Sequence, residues 1–293
     1  MKSRKPALKR IAISLVALGA LALQQIQPAS AEKKLPLPKS ADALHKTTAM
    51  KLTEALNEAS TAELKKSVMS LTRDQSVSAE DWQKFLAALR DSLIESNDDR
   101  EKLQNELCIE ILEATNSRFG KGSVESSMAH LTYAVSLAVI EEGRKAWNEY
   151  DEAVSSGKLA ASNPDFLVKS LEMLGFNFRK NFYDADTLHA FQLADKFVDN
   201  HKVSLPVKAD LYNTGTEQLY RCDSEEEGID SLFYKYADRA ISLDQKLGSK
   251  YAKLLESALD LKNNKRDWEI KSAAKTKEFK ERREAHLKSL EKQ

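Results

Sequence analysis

The stretch "LEMLGFNFRKNFYDADTLHAFQLADKFVD" (171–199) decides the fold class. Leu171, Leu174, Gly175 and Phe178 fall at i, i+3, i+4 and i+7, one face of a helix. Phe191 and Ala194 share one face of a second helix after a short loop. Two amphipathic helices with so short a connection are expected to lie antiparallel, side by side. Gly175, with no side chain, lets the two backbones approach closely, and the large residues fill the groove between this pair and its neighbour.

The same grammar extends in both directions. Asn163-Pro164-Asp165 is a helix start: a capping side chain, a proline at the first helical position, then an acid. Helices are expected at about 164–180, 184–200, 206–222 and 226–244. No alternating segment reads as a strand. Toward the N-terminus, Ser60 with Glu63 forms a capping box. Ser78 precedes a face made of Trp82, Phe85, Leu86, Leu89 and Leu93. Asn97, with Asp98 and Asp99, opens a helix carrying Leu103, Leu107, Ile111 and Leu112, and "GKG" (120–122) stops it. The stretch 123–155 carries two apolar stripes. Leu131, Val135, Ala138, Val139, Ala146 and Tyr150 make one; Tyr133, Leu137, Ile140, Trp147 and Val154 make the other. A helix apolar on two sides is buried on two sides, so this segment reads as the junction between an N-terminal bundle (41–122) and a helix-pair region (123–245). Gly143 is the point where it would divide into a pair.

The spacing of Leu171, Leu174, Gly175, Phe178, Phe191 and Ala194 resembles the tetratricopeptide repeat, a 34-residue helix–turn–helix unit. A looser copy precedes it in Ala134, Leu137, Ala146, Tyr150 and Ala153, with His130 at the first large apolar position. A third follows in Tyr212 and Gly215 and ends in "ADRAISLD" (237–244), with Ala240, Ile241 and Leu243. The match is degenerate. Ala153, Ala194 and Ala240 are 41 and 46 residues apart, Thr187 stands where the family prefers Ala, and Asp199 where it prefers Pro. The resemblance, over about 127–245, implies a right-handed superhelix of helix pairs with a concave groove that takes protein segments. It carries over packing positions and no ligand-binding residue. The alternative is an irregular helical bundle whose spacings follow from helical geometry alone.

The ends of the chain differ from the middle. Lys2, Arg4, Lys5, Lys9 and Arg10 precede the apolar run "IAISLVALGALAL" (11–23), and "ASA" (29–31) supplies small residues at a cleavage point. This is the pattern of a signal peptide cleaved after Ala31, followed by a linker at 32–40. The apolar run is short of the ~20 residues a membrane span needs. The expectation is export to the periplasm or beyond the cell, with no transmembrane segment in the mature chain. Past residue 31 the chain holds 40 basic and 45 acidic residues, and residues 246–293 carry 14 basic against 8 acidic. The body is therefore acidic and the C-terminal segment basic, which argues against a nucleic-acid binder and for a tail that meets a different surface.

That tail, 246–293, reads as a long charged helix. Leu247, Tyr251, Leu254, Leu255, Ala258 and Leu259 form a packing face up to about 261. Beyond about 262 the helix is expected to project, with one narrow stripe of Trp268, Phe279 and Leu290 at intervals of 11 residues. It is a candidate for self-association. Cys108 and Cys222 are the only cysteines, and in an exported protein they read either as a disulfide or as two buried thiols.

The sequence holds no HExxH, GxSxG, GxxxxGK[ST] or GxGxxG. Asp186 and His189 share a helix face, but no second pair completes a metal site. "FGKGSVESS" (119–127) lacks the phosphate-loop signature and reads as a helix connection capped by Ser123. Glu125-Ser126 matches the Glu-Ser of lytic transglycosylases, without that family's downstream Gly-rich segment. No catalytic, cofactor or metal residue is nominated. The expected function is a non-enzymatic protein-binding scaffold of the bacterial envelope. A structural or chaperone-like protein acting through its C-terminal helix is the second reading, and a helical envelope-polymer hydrolase the third.

Overall fold

Serine and asparagine caps set the helix starts that the sequence marks most clearly. In the computed structural model, which describes residues 61–93, 98–222 and 227–290, Ser78 accepts a hydrogen bond from the Asp81 amide and Ser123 from the Ser126 amide. Asn163 accepts one from the Phe166 amide, with Pro164 at the first helical position. The expected signal segment 1–31, its cleavage point at Ala31, the linker 32–40, Ser60 and Asn97 lie outside the described residues.

Among the described residues eleven α-helices follow one another: α1 (Thr61–Arg73), α2 (Ala79–Ser92), α3 (Asp98–Phe119), α4 (Val124–Val139), α5 (Gly143–Val154), α6 (Lys158–Ser162), α7 (Pro164–Lys180), α8 (Asp184–Asn200), α9 (Leu205–Arg221), α10 (Ile229–Leu247) and α11 (Ala252–Leu290). A 3-10 turn at Gly248–Tyr251 joins the last two. No strand occurs among the described residues. The stretch 123–155 is a helix pair rather than one helix. It breaks at Glu141, whose φ of 65° takes the left-handed conformation, just before Gly143.

Packing is mostly between sequence neighbours in antiparallel contact: α4 with α5, α7 with α8, and α9 with α10. The first helix of each pair also packs on the first helix of the next. The result is a row, α3–α4–α7–α9–α11, with α5, α8 and α10 alongside it. Helices inside such a row are covered from several directions. In α7, Phe166 to Val168 and Ser170 to Gly175 are buried, together with Asn177 and Phe178. Hydroxyls enter this dry interior because each satisfies itself on its own helix. Thr132, Ser170, Thr187 and Thr216 donate to the carbonyls of Met128, Phe166, Tyr183 and Tyr212, four residues back in every case.

Two glycines fix how closely the pairs approach. A Cβ on Gly175 would lie 2.8 Å from the Phe191 ring, and one on Gly215 2.3 Å from the Tyr236 ring. The other edge of Phe191 comes within 3.2 Å of the Gly215 position. The ring of α8 is thus wedged between α7 and α9. Tyr236 meets Phe191 edge-on, with centroids 5.6 Å apart, and donates from its hydroxyl to the Phe191 carbonyl at 2.7 Å. A shared helix face needs these small residues wherever an aromatic ring must cross from one helix to the next.

The N-terminal helices close on α3 and α4 around Trp82. Its indole N–H donates to Thr115 Oγ1 at 2.9 Å. Arg118 donates to the carbonyls of Asp74, Gln75 and Val77 and so straps the α1–α2 turn onto α3. Buried Arg90 ties α2 to α7: its guanidinium lies 4.3 Å from the Phe166 ring centroid, donates to the Phe166 carbonyl at 2.9 Å and pairs with Asp91 at 2.6 Å.

Candidate functional site

The repeat-like residues converge in the core. Leu171, Leu174, Phe178, Phe191, Ala194 and Ala240 are all fully buried, and Gly175 lies beneath Phe191. They build the stack and present nothing to a ligand. Any binding chemistry must come from side chains around them.

One polar seam crosses α7, α9 and α10. Glu172 is buried on α7, and its Oε1 accepts from Lys169 Nζ at 3.0 Å and from Thr214 Oγ1 on α9 at 2.8 Å. Its other oxygen is buried with no hydrogen-bond partner. Lys169 also faces Asp210 of α9 at 3.7 Å. Farther along, Asn213 donates to both oxygens of buried Asp244 on α10, at 3.1 Å each. Burial pushes the Glu172 carboxyl above its ordinary range, more than Lys169 and Thr214 pull it down. Burial does the same to Asp244, against the Asn213 amide. For Lys169 burial acts against the charge, but Glu172 outweighs it and the net shift is upward. The seam can therefore hold a proton or a positive charge. Sequence reading missed it, although a glutamate flanked by Leu171 and Met173, one residue from the apolar face, was the signal.

A second network clamps α8 to α10. Buried Asp195 pairs with Lys235 and Arg239, and Arg239 also reaches Asp199 at 3.0 Å and the Tyr212 hydroxyl at 2.6 Å. Every group here is engaged by another side chain, as a packing contact requires.

The residues weighed for chemistry are each accounted for locally. Asp186 accepts from the Trp147 indole at 2.7 Å, and His189 lies edge-on to the same ring. Glu125 accepts from Gln83 at 2.7 Å, and Ser126 donates to Asn116 at 2.6 Å. Among the described residues no group of three or more His, Cys, Asp or Glu is placed to hold a metal. Cys108 and Cys222 are free and buried rather than bridged. Their neighbours are different: Cys108 lies beside Ser136 of α4, and Cys222 beside Asp184 and Arg179 at the α7–α8 turn. Burial pushes both thiols up to about 12, which leaves them protonated and unreactive.

The third feature is α11. Tyr251, in the turn before it, and Ala258 are buried against the body, and Lys262 pairs with Asp238. Lys265 is buried, 2.5 Å from Asp230 and 5.5 Å from the Phe233 ring centroid. Glu269 accepts from the Tyr234 hydroxyl at 2.7 Å. Contact with the body therefore continues to Glu269, beyond the expected departure near 262. It does so through polar side chains, which an apolar pattern does not register. Trp268 and Ile270 remain 56 % and 59 % exposed. No described helix is long and apolar enough to cross a membrane.

No family model, curated protein or solved structure matches this chain.

Proposed function

We propose that the chain is an exported, non-enzymatic scaffold that binds other proteins through a tetratricopeptide-like stack of helix pairs. The observation that supports this reading is the repeated glycine–aromatic wedge, Gly175 under Phe191 and Gly215 under Tyr236, within the row α4–α7–α9–α11. A stack in which each pair buries its face on the next leaves an extended surface along its first helices, and such surfaces bind segments of other proteins. In this reading Lys169 and Asp210, which keep part of their side chains in solvent beside buried Glu172, supply polar contacts along that surface. Export rests on the basic, apolar and small-residue order of residues 1–31.

Two measurements test it. N-terminal sequencing of the exported protein is expected to begin at Glu32. Affinity capture from envelope extract would use residues 32–293 and the same chain stopped after Ile270, which preserves the Lys265 and Glu269 contacts. A partner held by both baits supports binding through the helix pairs. If neither bait retains a protein above a scrambled-helix control, the scaffold reading fails, and hydrolysis of envelope polymers becomes the assay to run.

A further inference from the structure

The row of helices has two ends, and they are opposite in charge. At one end stands α3. Residues 98–113 hold six acidic and two basic side chains. Glu106, Ile109 and Glu113 fall at i, i+3 and i+7, and all three are exposed, Ile109 at 37 %. At the other end stands α11. Trp268, Lys271 and Lys275 fall at the same i, i+3 and i+7 spacing, and Trp268 and Lys271 are exposed. One stripe is an aliphatic side chain between acids; the other is an aromatic followed by lysines. Three helices, α4, α7 and α9, separate α3 from α11 in the row.

We propose that α11 of one copy docks along α3 of a second copy, so that the protein assembles head to tail. Three helices of the row stand between the two surfaces within one molecule, and the surfaces are complementary, so they meet between copies. The charges are unequal in the sense that favours this contact: residues 61–245 carry 21 basic and 33 acidic side chains, whereas 246–293 carry 14 and 8. A tail-to-tail contact would set two basic helices against each other, and a tail on an acidic body does not. Because α11 extends about 58 Å, at 1.5 Å per residue, it offers more length than α9 and α10 use. The interface is heterologous, since α3 meets α11 and not itself, and repetition gives a ring or a filament according to whether the rotation closes. The inference uses surfaces outside the helix pairs, so it stands or falls separately from the scaffold reading.

The test is sedimentation velocity of the full chain at several concentrations and salt levels, with two charge-reversal variants. Each changes only stripe positions: Glu106→Lys with Glu113→Lys, and Lys271→Glu with Lys275→Glu. The wild type is expected to form concentration-dependent species heavier than the 32.9 kDa monomer at low salt and to dissociate as salt rises. Each variant alone is expected to associate at least about tenfold more weakly, and mixing the two is expected to restore association, because each then offers a stripe that matches the other. Helical circular dichroism and melting temperature of both variants should equal those of the wild type. A wild type that stays monomeric at every concentration and salt level overturns the proposal. Undiminished association of the α3 variant alone overturns α3 as the dock, and undiminished association of the α11 variant alone overturns α11. Failure of the mixture to associate overturns their pairing.

Discussion

The interface of α7 with α8 and α9 and the interface of α10 with α11 hold helices together by different means. The first is dry. Phe191 is wedged between Gly175 and Gly215, and most of α7 is buried. The second is largely polar: Lys262 with Asp238, Lys265 with Asp230, and Tyr234 with Glu269. Close packing transmits any change of volume, so the first interface is intolerant of both loss and gain of atoms. An interface of partly exposed charge pairs is worth little per contact and yields locally. The body is therefore expected to melt as a unit and α11 to loosen on its own.

The most severe way to break the comparison is Phe191→Ala. The ring is fully buried and touches three helices, so its removal is expected to cost about 3–5 kcal/mol of unfolding free energy in denaturant titrations. A cost below about 1 kcal/mol would mean that the wedge does not hold the stack. Adding atoms sharpens the point. Gly215→Ala places a methyl 2.3 Å from the Tyr236 ring, an overlap expected to cost about 1–3 kcal/mol. Gly175→Ala meets the Phe191 ring less closely, at 2.8 Å, while both substitutions gain the same ~1 kcal/mol in helix propensity. It is expected to be the milder of the two, and the reverse order in paired thermal melts would contradict this geometry.

On the α11 side, Lys265→Ala removes a buried ammonium from Asp230 and from the face of Phe233. Asp230 keeps nearly half of its side chain in solvent, so the loss is expected to be about 1 kcal/mol and local. Hydrogen exchange of amides in 252–270 should accelerate while those of α7 do not change. Equal acceleration in both would show that α11 belongs to the same cooperative unit as the body.

The two interfaces also differ in how they can be read from sequence. The wedge is legible because its chemistry is local. A glycine at i+4 of an apolar face, followed by an aromatic on the next helix, defines a close approach whatever lies beyond it. Helix starts at Ser78, Ser123 and Asn163 are legible for the same reason, since a cap needs only its own first turn. The reach of α11 along the body is not. Lys262, Lys265 and Glu269 look like any solvated charge until Asp238, Asp230 and Tyr234 are placed opposite them. Arg90 and Glu172 are hidden likewise: each is a charged residue whose burial depends on a partner helix about forty or more residues away. The short α6 lacks enough turns to leave an apolar period at all.

Glu172 is the exception that tests the comparison most finely, because it sets a carboxylate inside the dry interface. Burial raises its pKa in the folded chain above the ordinary glutamate value of about 4.3. Between that value and the raised one, the native state holds a proton that the unfolded chain has released. Stability from this group is therefore greatest at acid pH and falls as pH rises through the window, opposite to a carboxylate whose salt bridge dominates. Asp244 is shifted the same way, so the wild-type profile sums both. Lys169 acts elsewhere: its raised pKa gives stability that persists at neutral pH and is lost only at the alkaline end. Glu172→Gln isolates the term, since the amide oxygen still accepts from Thr214 and carries no proton to lose. The difference in unfolding free energy between wild type and variant is expected to move in favour of the variant as pH rises from acid toward neutral. If the difference moves instead in favour of the wild type, Lys169 and Thr214 outweigh burial, and the seam behaves like the polar contacts of α11 rather than the interior of the stack; parallel profiles would mean that burial and these partners cancel.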